Sequence, residues 1–129
     1  MAECFKDSGS RRDFGTGAVR DAATGKGSFH LLPFDAIQEL ARVYETGAGK
    51  YDARNWEKGI PMSTFMDSAA RHLLKAISGI TDEPHLPMAM WNIACAIQTE
   101  RWIRDGVLPH TLMYDKPIVL CNEERPDVL

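Results

Sequence analysis

Three segments of this chain place apolar residues at helical spacing, and no segment alternates as a half-buried strand would. Between Phe34 and Thr46, Ile37, Leu40, Ala41 and Tyr44 fall at i, i+3, i+4 and i+7, with Gly47 and Gly49 expected to stop the helix. A second helix is expected from a cap at Ser63 to about Ser78, its apolar face made of Phe65, Ala69, Leu73, Ala76 and Ile77, and Gly79 ends it. The third runs from about Pro84 to Arg104. Pro84 suits a first-turn position, Pro87 is near enough to the start to be tolerated, and Gly106 terminates the run. The reading is all-α, and the small core available to one chain suggests that copies pack into a larger helical bundle.

The segments outside the helices set the rest of the organisation. Residues 1–13 are polar and aperiodic and read as a frayed terminus, with the domain at 14–106 and a wrapping tail at 107–129, where a short strand or turn is expected near Ile118 to Leu120. From Phe14 to Pro33, Gly15, Gly17, Gly25 and Gly27 describe an extended arm. The connector GAGKYDARNWEKGIP holds Tyr51 and Trp56, which a mere linker would not need.

A net charge of −3 over 129 residues argues against a general grip on duplex nucleic acid and leaves room for a local basic pocket. The longest apolar run, Met88 to Ile97, carries Asn92 and falls short of a membrane span. The N-terminal sequence lacks the apolar stretch of a secretory signal. Cys4, Cys95 and Cys121, an odd set without C-x-x-C, fit reduced thiols in a cytoplasm.

Several residues could carry chemistry, each with a plainer alternative. The arm is no P-loop, because Arg20 and Gly27 stand where Gly and Ser or Thr are required; Arg20 and Lys26 are either phosphate contacts or surface cations. Glu45 sits at the rim of the first apolar stripe, whereas Glu39 points almost opposite to it and is solvated unless a partner subunit covers it. Asp67 and Arg71 are an intrahelical ion pair or a cleft pair. His72 is a core-boundary histidine or a ligand. Asp82 and Glu83 precede a helix, where carboxylates also cap. His85 and Asn92 share a face of the third helix with Ala89 and Ala96, and a buried Asn there must find partners. Carboxylates on three elements, with Lys26, Lys50, Arg54 and Arg71 nearby in sequence, suit Mg²⁺ or Mn²⁺ beside a polyphosphate and point to metal-assisted phosphoryl or nucleotidyl hydrolysis.

The ordered set TGAVRD, GAGKYDARNW and RHL, followed by HLPMAMWN, resembles the phage-encoded dATP/dGTP diphosphohydrolase family, MazZ-like relatives of the MazG pyrophosphohydrolases, over roughly residues 14 to 97. The resemblance implies a MazG-like helical bundle completed as a homodimer or homotetramer. It also implies release of a deoxynucleoside monophosphate and pyrophosphate with two or more Mg²⁺ or Mn²⁺ ions, in purine nucleotide-pool metabolism of the host cytoplasm. The literal E-E-x-x-E and E-x-x-D signature is absent, and Glu39, Glu45, Asp67, Asp82 and Glu83 are the carboxylates at matching positions for metal. Glu45, Asp67, Lys50 and Arg71 are then the catalytic candidates, and Arg20, Lys26, Lys50, Asn55, Trp56, Arg71, His72, His85 and Asn92 the substrate-binding ones. Met88 stands where the family often has a second histidine. The alternatives are a pyrophosphohydrolase for dUTP, dCTP or a damaged nucleotide, and a non-catalytic helical nucleotide-binding protein.

Overall fold

The computed structural model describes residues 6–113, and the chain divides after Pro33 into two compact units. In the first unit, β1 (Arg11–Asp13) pairs antiparallel with β2 (Val19–Asp21), Arg12 lying opposite Arg20. Gly15 at φ 74° and Gly17 at φ 89° turn the chain between them. Residues 11–13 were expected to fray with the terminus; they pair instead, and at three residues each the strands are too short to show a period in sequence. Asp21 ties the hairpin together: Ser8 Oγ donates to its carboxylate, and Lys26 Nζ lies at 2.9 Å. Those two contacts hold its carboxyl well below the usual carboxylate range, Ser8 contributing most. A 3-10 turn at Phe29–Leu31 precedes Pro33.

The second unit holds α1 (Phe34–Lys50), α2 (Met62–Ile77) and α3 (His85–Arg104), with a 3-10 turn at Asn55–Lys58 and another at His110–Leu112. The molecule is therefore helical, with one small two-stranded sheet among the described residues. Expectation and structure differ at two helix ends. α1 continues through Gly47 and Gly49, and Tyr51 N–H donates to the Gly47 carbonyl at 2.8 Å. A mid-helix glycine costs only about 0.5–1 kcal/mol relative to alanine, and Tyr44, one turn earlier, is fixed between Trp56 and Trp91 with ring centroids at 6.0 and 5.8 Å. α2 begins one residue before the expected cap: Pro61 is the N-cap and Ser63 lies inside the first turn.

The C-terminal ends of α2 and α3 follow the glycines. Gly79 (φ 74°) closes α2 in a Schellman motif, with Ile80 N–H donating to Lys75 O and Gly79 N–H to Ala76 O. Gly106 closes α3 in the same way, through Val107 N–H to Trp102 O and Gly106 N–H to Ile103 O.

α2 and α3 pack along one another and α1 leans on α3. Met62, Phe65, Cys95, Ala96 and Ile103 form the core, flanked by Tyr44, Trp56, Trp91, Leu108, Leu112 and Met113. The expected inward face of α3 holds: His85, Ala89, Asn92 and Ala96 are all buried. The expected face of α2 holds only in part, because its buried residues are Met62, Phe65 and His72, while Leu73 and Ile77 are 47% and 73% exposed. Those two positions lie about 100° around the helix from Phe65 and His72, which rotates them away from α3. Gly59, at φ 111°, admits the segment after α3: a Cβ there would lie 3.1 Å from Leu112 Cδ1. The tail expectation near Ile118 to Leu120 falls outside the described residues. Among them, no helix is long and apolar enough to cross a membrane.

Cys95 is fully buried, with its Sγ 3.3 Å from the Tyr44 hydroxyl. Burial pushes its thiol up to about 11 and raises the Tyr44 hydroxyl above its ordinary value too. Iodoacetamide at pH 8 is accordingly expected to leave Cys95 unmodified in the folded chain and to alkylate it in urea; peptide mass mapping reads both states.

Candidate active site

A cavity of about 640 Å³ in the helical unit is walled by α1, α2 and α3. That volume suits a small-molecule site. α1 contributes Glu39, Arg42, Val43, Thr46 and Lys50, which follow one another at helical spacing along one edge. Tyr51 continues that edge, α2 adds Ser68 and His72, and Glu83 with Met88, Trp91 and Asn92 closes the far side. The wall thus combines two carboxylates with the cations Arg42 and Lys50. Arg42 is paired with Glu39, and Lys50 Nζ sits 5.2 Å over the Tyr51 ring.

At the α2–α3 end a buried histidine pair meets two carboxylates. His72 Nδ1 and His85 Nδ1 are 2.9 Å apart, and His85 Nε2 is 2.6 Å from Asp82 Oδ1. Both rings are buried, at 8% and 3% exposure. Desolvation, with the His85 ring second, keeps His72 below the ordinary imidazole value, so it is neutral at pH 7. The hydrogen bond from His85 holds Asp82 below the usual carboxylate range. His72, Glu83 and His85 each bring one ligand atom within 4.8 Å of the others, a group that could hold a metal ion. Asn92 Nδ2 donates to the Met88 carbonyl at 2.9 Å, which satisfies part of this buried amide on the cavity wall.

A second cavity of about 360 Å³ adjoins the first and shares Gly47, Tyr51 and Trp91 with it. Tyr44, Asn55, Trp56 and Ile60 also line it, so that four aromatic rings border this pocket. Trp56 is not wholly available to a ligand, because it stacks on Trp102 at 5.5 Å and 20°.

The structure brings Glu39, Lys50, His72, Glu83 and Asn92 onto one cavity, puts Asp82 and His85 directly behind His72, and sets Asn55 and Trp56 in the neighbouring pocket. Glu45 lies on the exposed side of α1, outside the lining of both cavities. Asp67 and Arg71 line a different depression on α2 with Leu74, Lys75 and Ile80. Arg20 and Lys26 belong to the hairpin unit, where they border a small depression with Arg12 and Asp21. Sequence reasoning did not single out Arg42, Thr46, Ser68 or Trp91. For Arg42 and Thr46 the available signal is spacing, since Arg42, Thr46 and Lys50 repeat at i+4 from one another, and Trp91 lies within the HLPMAMWN string.

Fold and site together define a small helical protein whose three helices enclose carboxylates, cations and a histidine pair beside an aromatic pocket. The model of the dATP/dGTP diphosphohydrolase N-terminal domain matches residues 16–105, and the chain belongs to that family. The family's name is that of a hydrolase acting on nucleotides, in agreement with the resemblance carried by TGAVRD, GAGKYDARNW and RHL. No curated protein and no solved structure matches the chain.

Proposed function

We propose that this chain hydrolyses dATP and dGTP to the deoxynucleoside monophosphate and pyrophosphate, with the cavity between α1, α2 and α3 as its active site. The observation that carries this reading is that Glu39, Glu83, Arg42 and Lys50 line one cavity, next to a pocket with aromatic residues, in a chain of this family. Arg42 and Lys50 are placed to neutralise charge on the triphosphate as it builds on the departing pyrophosphate. Tyr51, Trp91 and the open part of Trp56 offer faces for a purine, and Asn55 offers an amide to its edge. A water attacks the α-phosphorus, the bond to the bridging oxygen of the β-phosphate breaks, and Glu83 or His72 receives the proton.

The donor set fits a divalent ion, since Glu83, His72 and Glu39 present hard oxygens and one imidazole in a single cavity. Mg²⁺ or Mn²⁺ there would supply charge neutralisation and a more acidic water. Asp67, Arg71 and Glu45 enter the chemistry, in this reading, across the interface of a homo-oligomer. The exposed Met66, Ile93 and Ile97, at 58%, 52% and 63%, are an apolar face that a second copy would cover. The setting proposed is the nucleotide pool of a phage-infected cytoplasm.

The test is selectivity across dATP, dGTP, dCTP, dTTP and dUTP, measured as kcat/KM. The two purines are expected to exceed the pyrimidines by at least about tenfold, the scale of one lost pocket contact. Preference for a pyrimidine would redirect the reading to a different triphosphate, and tight binding without turnover would favour a nucleotide sensor.

A further inference from the structure

We infer that Arg12 and Arg20 of the hairpin unit form a clamp for a phosphoryl anion. The sheet register places the two directly opposite one another. Ala22 N–H donates to the Ser10 carbonyl at 3.0 Å and Phe14 N–H to the Ala18 carbonyl at 3.4 Å, so Arg12 and Arg20 are the hydrogen-bonded pair between those two. Their Cα atoms are then about 5.5 Å apart, and their side chains leave the same face of the ribbon. Like charges directly opposite in a sheet are destabilising. A two-stranded ribbon with three residues per strand has little stability to set against that repulsion. An anion between the two guanidinium groups turns the repulsion into two attractions.

The other cations of the unit are matched by carboxylates. Asp21 is ion-paired with Lys26 at 2.9 Å and Arg11 at 3.5 Å, and Arg11 also holds Asp7 at 2.8 Å. Lys26 is thus engaged by Asp21, whereas among the described residues neither Arg12 nor Arg20 has a carboxylate partner. The Arg12 guanidinium carbon lies 5.4 Å from the centre of the Phe14 ring, a contact that steadies the group and leaves its N–H edge open. Both arginines border a depression of about 270 Å³. Pockets for whole small molecules begin at roughly 300 Å³, so this one suits a phosphoryl or pyrophosphoryl group. Two guanidinium forks with two positive charges also match a phosphate, which carries up to two negative charges, better than a singly charged carboxylate. The inference does not rest on the hydrolase reading above, since it involves neither the helical cavity nor turnover.

The experiment is a titration of the full chain with inorganic pyrophosphate, in chelator and at constant ionic strength, followed by ¹H–¹⁵N NMR of the arginine Nε–H groups and backbone amides. Saturable shifts of the Arg12 and Arg20 Nε–H resonances are expected. Arg20→Gln should weaken the Kd at least about tenfold, the scale of a lost hydrogen bond to a charged group. Arg12→Lys keeps the charge and removes the fork, so it should weaken binding even if Arg20→Gln disturbs the hairpin amides. Non-saturating shifts, equal shifts on adding chloride, or binding unchanged in both variants would each overturn the clamp. So would saturation by a duplex oligonucleotide but not by pyrophosphate. Deoxyadenosine should leave both resonances unmoved. Tighter binding of dATP in chelator than of pyrophosphate would assign the clamp to nucleotide phosphates, and equal or weaker binding to the free anion. Failure of the chain to hydrolyse any triphosphate would leave these outcomes intact, because none requires turnover.

Discussion

Glu83→Gln is expected to lower turnover of dATP and dGTP at least about a hundredfold, the smaller end of what a positioned proton acceptor contributes. The substitution keeps the side chain's size and removes its charge and basicity. Glu83 is exposed on the cavity rim just before α3, so no core packing is disturbed and the helical circular dichroism signal should not change. His72→Ala should reduce turnover on a similar scale, but it also strips His85 of its buried partner and is the less clean probe. Glu45→Gln is the informative contrast. Its side chain lies outside both cavities of the single chain, so a loss matching that of Glu83→Gln would mean that a second copy presents Glu45 to the site. Steady-state rates of the three variants beside the wild type supply the comparison.

Phe65→Ala is expected to cost about 3–5 kcal/mol of unfolding free energy, as truncation of a buried aromatic ring does. Phe65 is 2% exposed in the core between α2 and α3, and its ring meets Trp91 edge-on at 6.2 Å. Loss of that contact also loosens Trp91, which both cavities share, so catalysis should weaken along with stability. Leu74→Ala on the same helix, at 63% exposure, should stay within about 0.5 kcal/mol of the wild type. Urea denaturation followed by circular dichroism measures both; equal midpoints for the two variants would contradict the packing described.

Much of the fold is legible in the sequence because the punctuation is local. Pro84, Gly79 and Gly106 act through their own backbone preferences, and the buried face of α3 from His85 to Ala96 is a matter of spacing alone. Gly47 and Gly49 misled because propensity is weaker than the packing of Tyr44 on Trp91, a contact that no local pattern reveals. The hairpin from Arg11 to Asp21 was hidden by its brevity.

The site was less legible, since it depends on rotations between helices. Single-helix geometry ranked Glu45 as the rim residue and Glu39 as solvated; both are exposed in the structure, and it is the Glu39 edge of α1 that borders the cavity. His72 and His85 are thirteen positions apart on different helices, and only the approach of α2 to α3 brings their Nδ1 atoms together. Met88, which stands where the resemblance led one to expect a second histidine, lies on the cavity wall.

Identification of the products by ³¹P NMR, with dGTP or dATP incubated with Mn²⁺ or Mg²⁺ and in parallel with excess chelator, tests the central claim most directly. Pyrophosphate appearing in equal amount with dGMP or dAMP, and absent under chelator, is the expected result. Tripolyphosphate with free nucleoside, or orthophosphate with the diphosphate, would contradict attack at the α-phosphorus, and turnover undiminished by chelator would contradict a divalent ion in this cavity.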